Sequence, residues 1–250
     1  MIECVNLTKI FAGNTESKEV CGIRNVNLKF EEGIIYGVIG YNCAGKTTLF
    51  NCVEGLYTPT SGFVYHNGVK TTDDREFLPY RRKIAFLPGD EYLYPGLTCL
   101  ENIQLAVILK TGRKELHGDT IELIKYLEID KYQDKRFKEC SSGMKKKTQI
   151  VISLIGDIDT IIWDEPNNGL DIISNIKIKN ILKYYKSKNV TILFSSHVIE
   201  FMENFIDTFI LLREGEVIEN NDNNNIISPR ELLLGNTGQD FSFAPFKKES

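Results

Sequence analysis

The segment Gly40-Tyr41-Asn42-Cys43-Ala44-Gly45-Lys46-Thr47, followed by Thr48, fits the spacing Gly-x4-Gly-Lys-Ser/Thr. Glycines let a backbone wrap closely, so successive N–H groups and the positive end of a following helix can face an anion. A lysine at this place neutralises terminal phosphate charge, and the threonine hydroxyl is a ligand for magnesium. This is polyphosphate chemistry. A second cluster, Thr160-Ile161-Ile162-Trp163-Asp164-Glu165, sets two carboxylates at the end of an apolar run. Asp164 there can hold magnesium through water, and Glu165 can orient and deprotonate an attacking water. Taken alone, the doublet reads also as a helix-capping acidic pair. Phe194-Ser195-Ser196-His197 ends another apolar run with a histidine. A neutral imidazole at that position can hydrogen-bond a transferring phosphate, and by itself it reads equally as a structural histidine.

These groups need elements that bring them together. Residues 34–39 form a short apolar run ending in Gly40, which predicts a buried strand. After Gly45, Leu49, Phe50, Val53 and Leu56 lie on one helical stripe. Further apolar runs at 84–87, 160–163 and 190–194 are each followed by a helical pattern. Strands alternating with helices imply a parallel sheet with covered faces, whose carboxyl edge is where ligands bind. The first third differs. Val26, Leu28 and Phe30 alternate, and Phe63 and Tyr65 precede an Asn67-Gly68 turn, so a hairpin and an antiparallel layer are expected. Residues 92–145 have the pattern of an inserted helical subdomain. Residues 220–225 read as a polar linker, Ser228-Pro229 as a helix start, Gly235 as its stop, and the last fifteen residues as a loose tail. The expected organisation is one domain over 1–219, then linker, short helix and tail over 220–250, with no internal repeat.

Of 250 residues, 42% are apolar and 26% charged, enough for a core of ordinary size. The formal charge of −4 offers no basic face, and no nucleic acid is expected as a partner. Six scattered cysteines lack metal-ligand spacing, which argues against a zinc site or disulfide framework and suits a reducing cytosol. The start Met1-Ile2-Glu3-Cys4 has no basic segment leading into an apolar one, so no secretory signal is expected. No run approaches the roughly 18 apolar residues of a membrane span. If the chain works at a membrane, a partner must hold it there.

Together these motifs resemble the ATP-binding-cassette family, and one further segment makes the likeness specific. Cys140-Ser141-Ser142-Gly143-Met144, ahead of an apolar helix, is similar to the family's signature Leu-Ser-Gly-Gly-Gln. Asn168-Gly169-Leu170-Asp171, after Glu165-Pro166, resembles its D-loop; His197 matches its switch histidine, and Phe11 stands where an aromatic stacks on adenine. The resemblance covers approximately residues 1–219 in the family's order. Kinases and small GTPases share the phosphate loop and lack the signature.

The resemblance implies an α/β fold of the P-loop NTPase (RecA-like) kind, with a parallel-sheet core, an antiparallel β-subdomain and an inserted helical subdomain. It implies ATP and Mg2+ as ligands, with Glu165, His197 and Lys46 catalytic and Thr47 and Asp164 at the metal. Nucleotide contacts would come from Phe11, Gly40, Tyr41, Asn42, Cys43, Ala44, Gly45, Lys46, Thr47 and Thr48. From the opposite side they would come from Ser141, Gly143, Met144 and Asp171. Two domains pack head to tail, each nucleotide lying between the cradle of one and the signature of the other. With one of each, this chain needs a homodimer or a paralogous ATP-binding subunit. The implied output partner is an integral-membrane permease, with the chain cytoplasmic and peripheral on the inner face of the cell membrane. Ser141 and Gly143, at a helix start, can complete an anion site. Lys145-Lys146-Lys147 is unfavourable there in dipole terms. Facing another subunit's phosphates would offset that, above all for Lys145; a solvated face is the alternative for Lys146 and Lys147.

Two positions depart from the family pattern. Gly89, after Ile84-Ala85-Phe86-Leu87-Pro88, stands where a glutamine touches magnesium and the attacking water. Either Asp90 supplies the missing oxygen as a hard metal ligand, or the loop tolerates the change with slower turnover. Cys43 replaces a glycine of the cradle. If that position demands positive φ the strain costs about 1–2 kcal/mol, and the thiol is either reactive or inert packing. Two other functions compete with a transporter subunit. One is a soluble nucleotide switch with weak turnover, which Gly89 keeps open. The other is a cassette acting on ribosomes or DNA, which would bring a second cassette, a long coiled coil or a zinc insertion.

Overall fold

The computed structural model describes residues 1–12, 19–202 and 205–222. Its first two strands, β1 (Ile2–Phe11) and β2 (Val20–Phe30), pair antiparallel. The next, β3 (Ile35–Ile39), is buried at every position, as its unbroken apolar run requires. β4 (Ser61–His66) and β5 (Val69–Lys70) form the expected hairpin, with Asn67 at φ 48° and Gly68 at φ 83°. Positive φ at both turn residues matches the twist of the flanking strands. The four strands make one sheet in the order β2-β1-β4-β5.

The second sheet adds β6 (Ile84–Leu87), β7 (Thr160–Trp163), β8 (Thr191–Ser195), β9 (Thr208–Arg213) and β10 (Glu216–Asp222). Its order is β10-β9-β3-β8-β7-β6, parallel except for β10 at one edge. Helix α1 (Lys46–Val53) lies between the two sheets: Leu49, Phe50 and Val53 pack with Leu7, Val26 and Phe30 on one side and Ile162, Leu193 and Ile210 on the other. The opposite face of the parallel sheet is covered by a larger core that includes Trp163, Phe194, Ile178 and Leu182.

Helix α2 (Asp74–Arg81) precedes β6. The helical subdomain holds α3 (Cys99–Thr111), α4 (Gly118–Tyr126) and α5 (Ser142–Ser153), and α6 (Ile172–Ser187) follows β7. A reciprocal cap between Thr98 and Glu101 starts α3. Near the end of α3, the Lys110 ammonium donates to the carbonyls of Ile152 (3.1 Å) and Ser153 (2.8 Å), so α3 satisfies the last turn of α5.

Two expectations need correction. Leu56 was placed on the stripe of α1, but the helix ends at Val53, Gly55 turns at φ 81°, and Leu56 is exposed. The linker expected at 220–225 does not begin at 220. Asn220, Asn221 and Asp222 pair with Ile210, Phe209 and Thr208, because an edge strand needs only backbone bonds on one side, whatever its side chains. The rest of that linker, the helix start at Ser228-Pro229, the stop at Gly235 and the tail lie outside the described residues.

Candidate active site

The phosphate-loop segment leaves β3 at its carboxyl end and turns into α1. Gly45 caps the helix at φ 105°, and a Cβ there would stand 2.4 Å from the Gly22 carbonyl of β2, so only glycine closes this turn. Cys43 also has positive φ, 65°. The position does demand that conformation, and a cysteine bears its strain. The Lys46 ammonium is buried and donates to the carbonyls of Gly40 (2.7 Å) and Tyr41 (3.1 Å).

Strand register brings the second cluster to the same edge. Trp163 pairs with Phe194, so Asp164 follows β7 alongside Ser195 at the end of β8. Asp164 is 4% exposed, and each carboxylate oxygen accepts a hydroxyl: Oδ1 from Ser195 and Oδ2 from Thr47, both at 2.5 Å. The Ser195 Oγ in turn accepts the Glu165 N–H (2.9 Å). Glu165 sits at φ 51°, a conformation that side chains rarely adopt outside functional turns. Its Oε2 accepts from the His197 ring Nδ1 (2.8 Å) and backbone N–H (3.3 Å).

A cavity of about 440 Å3 opens over these groups. It is lined by Phe11, Asn42, Cys43, Ala44, Gly45, Lys46, Thr47, Thr48, Asp90, Asp164 and Glu165, together with Val20, Cys21, Gly22, Gly89 and Asn168. Gly40 and Tyr41 do not line it; their carbonyls hold Lys46 behind it. At the far wall Phe11 meets Tyr57 edge-on at 5.5 Å, and a Cβ at Gly22 would press on Phe11 at 2.7 Å. Such a wall keeps one aromatic face clear, as a flat base needs.

Ser141, Gly143, Met144 and Asp171 are not in that cavity. They line a second one of about 490 Å3, with Lys147, Gly169 and Tyr132. Ser141 caps α5, its Oγ accepting the Met144 N–H (3.3 Å), and a Cβ on Gly143 would come within 2.8 Å of the Gly169 carbonyl. The signature and the loop after β7 are therefore packed backbone against backbone. The Asp171 carboxylate caps α6 by accepting the Ser174 N–H (2.7 Å), and its bonds to Ser174 hold it below the usual carboxylate range. Within the lysine run, Lys145 is bound to Glu91 of the same chain (2.9 and 3.0 Å), and Lys146, at 7% exposure, packs its side chain inward.

Thr47 and Asp164 offer hard oxygens side by side at the mouth of the cradle, which suits magnesium. Among the described residues no three His, Cys, Asp or Glu side chains gather as a metal set, so water and phosphate oxygens must complete the shell. Val20, Cys21 and Gly22 of β2, which line the cavity, and Ser195, which holds both carboxylate residues, were missed in the sequence, because their places depend on how strands are set side by side.

The described geometry has counterparts among known proteins. A family model described as ABC transporter matches residues 23–168. The ABC transporter ATP-binding protein NatA of Bacillus subtilis is 33% identical over 204 residues, covering 81% of this chain and 82% of that protein. The mouse phospholipid-transporting ATPase ABCA3 is 31% identical over 218 residues, which span 86% of this chain and 12% of that protein. A solved dimeric ATP-binding cassette, MJ0796, in a post-hydrolysis state bound to ADP and Pi, is 29% identical with a TM-score of 0.80, covering 89% of this chain and 98% of that one.

Proposed function

The chain belongs to the ATP-binding-cassette (ABC) transporter family, and from that premise we propose how its residues bind and hydrolyse ATP and with what it assembles. It is the ATP-binding, ATP-hydrolysing subunit of a transporter, and two such subunits close head to tail around the nucleotide. The observation that carries the assignment of residues is the convergence on Asp164: two hydroxyls fix the carboxylate, and Glu165 lies next in sequence with His197 on its side chain.

In this assignment, Phe11 receives the adenine, and the N–H groups from Asn42 to Thr48 receive the phosphates. Lys46, now held by two carbonyls, turns to the terminal phosphate charge. Thr47 and Asp164, with Asp90 on the same cavity wall, would hold Mg2+, which would supply charge neutralisation to the phosphates. Glu165 takes the proton of the attacking water, and His197 Nδ1 holds its carboxylate in place. Ser141 and Gly143 of a second copy complete the site from the far side. No helix among the described residues is long and apolar enough to cross a membrane. The transport step falls to a separate permease, with this chain on the inner face of the membrane.

The test compares steady-state ATP hydrolysis by wild type and Glu165→Gln. Loss of the base should lower kcat by about 10²–10⁴-fold and leave ATP binding in place. Wild type without turnover would move the chain to the nucleotide-switch alternative, and equal turnover in both would remove Glu165 from its role.

A further inference from the structure

The second cavity, where Ser141 and Gly143 stand, is also lined by two lysines, Lys131 and Lys147. Lys131 is bound to one oxygen of Glu128 at 2.5 Å, and the other oxygen of Glu128 accepts from Lys177 at 3.1 Å. The Asp171 carboxylate is engaged in capping α6; it feels the charge of Lys147 but forms no ion pair with it. Lys147 is half-buried and makes no hydrogen bond or ion pair among the described residues. Its neighbours in the run are committed elsewhere, Lys145 to Glu91 and Lys146 to the interior.

The place of Lys147 on α5 sets its reach. It lies one helical turn after Gly143, and side chains of an α-helix lean towards its amino end. Its stem therefore runs back over the first turn, towards Ser141. Gly143, the residue before it on this face, has no side chain to block that course, and Met144 packs against the core. The start of α5 by itself offers an anion neutral donors and about half a unit of positive charge. An ammonium alongside adds a whole charge and a charge-assisted hydrogen bond.

We propose that Lys147 binds nucleotide in trans: its ammonium contacts the terminal phosphate of the ATP held in the cradle of a second copy, opposite that copy's Lys46. The proposal rests on the composite-site reading and adds a residue to it. It also makes association follow the nucleotide. With no ATP between them, Lys147 of one copy and Lys46 of the other repel; with ATP, both are satisfied by one phosphate group. A lysine unfavourable at a helix start within one chain is thereby favourable in the pair.

The test uses the full chain carrying Glu165→Gln as parent, and the same chain with Lys147→Met, Lys147→Arg or Lys147→Glu. Sedimentation velocity with ATP and Mg2+ reads the dissociation constant between chains. ATP binding at concentrations where the chains stay single reads the cradle alone. Lys147→Met should weaken association about tenfold or more, Lys147→Arg should stay within about threefold of the parent, and Lys147→Glu should abolish it. Single-chain ATP affinity should stay within about twofold of the parent in all of them, since Lys147 lies outside the cradle cavity.

Mixed pairs read which copy the lysine serves. One chain of each pair carries Lys46→Ala, which leaves a single working cradle. Lys147→Met on the chain with that cradle should leave mixed association unchanged, and on the Lys46→Ala chain it should weaken association about tenfold. If one nucleotide is too few to pair two chains, the uniform pairs alone decide. Melting temperatures show that each variant is folded, and Lys147→Gln replaces Lys147→Met should that one fail. Lys147→Met associating as tightly as the parent, losing single-chain ATP affinity in step with association, or giving the reverse pattern in mixed pairs overturns the proposal. A parent chain that binds ATP and stays single would overturn the composite-site reading, and this proposal with it.

Discussion

Asp164 is oriented by the protein's own groups, because both of its oxygens accept hydroxyls and its backbone N–H donates to the Leu87 carbonyl (2.8 Å). Ser195 is the less obvious of the two hydroxyls, and it serves both carboxylates by also accepting the Glu165 N–H. In Ser195→Ala, buried acceptor and donor lose their partner together. We expect a loss of about 1–3 kcal/mol in stability, read by denaturant unfolding, and a fall in turnover with metal-free ATP affinity retained. Unchanged turnover would mean that Ser195 only fills space. At this scale the cradle, the acidic doublet and His197 were legible in the sequence, since their types and spacing state their chemistry. Ser195 was not, because its place depends on β7 and β8 aligning Trp163 with Phe194. The bond from Lys145 to Glu91 was hidden for a related reason: the two lie 54 positions apart, and Glu91 is on a loop with no periodic pattern.

At the scale of elements, the alternation at Val26, Leu28 and Phe30 and the Asn67-Gly68 turn were sufficient to predict the antiparallel layer, and apolar runs sufficient for the parallel one. Boundaries were harder. The stripe through Leu56 ran past the true end of α1 because periodicity does not register a turn at Gly55. The polar tract at 220 concealed a strand whose partner, β9, supplies the bonding. The seam between β4 and α1 carries its own pH dependence. His66 is buried, donates from Nε2 to the Val53 carbonyl (2.8 Å) and packs against Phe77. Burial lowers its pKa from 6.5 to about 4. Below pH 6.5 the unfolded chain therefore takes up a proton that the folded one refuses. Stability is full above that pH and is lost progressively as pH falls towards about 4. Between pH 7 and 4.5 this group should cost the protein about 2–3 kcal/mol, read from urea midpoints. His66→Gln, which keeps a donor for Val53, should be less stable at pH 7 and flatter over that range. A parallel decline in both proteins would contradict the assignment.

At the scale of the molecule, the two halves of the site do not meet within one chain. The cradle with Lys46, Asp164 and Glu165 opens one cavity, and Ser141, Gly143 and Asp171 line another. One chain has one of each, so closing a nucleotide on both sides takes a second copy. The family resemblance had implied this, and no spacing in the sequence could have shown it. The most direct test measures molecular mass in solution for Glu165→Gln, which retains ATP, with and without ATP and Mg2+. Adding Ser141→Asp to that variant keeps a helix cap and sets a negative charge where a partner's phosphate must arrive. We expect the mass of one chain without nucleotide and of two with it for Glu165→Gln, and of one chain throughout when Ser141→Asp is added. A single chain in every condition, or two chains unaffected by Ser141→Asp, would contradict the composite site.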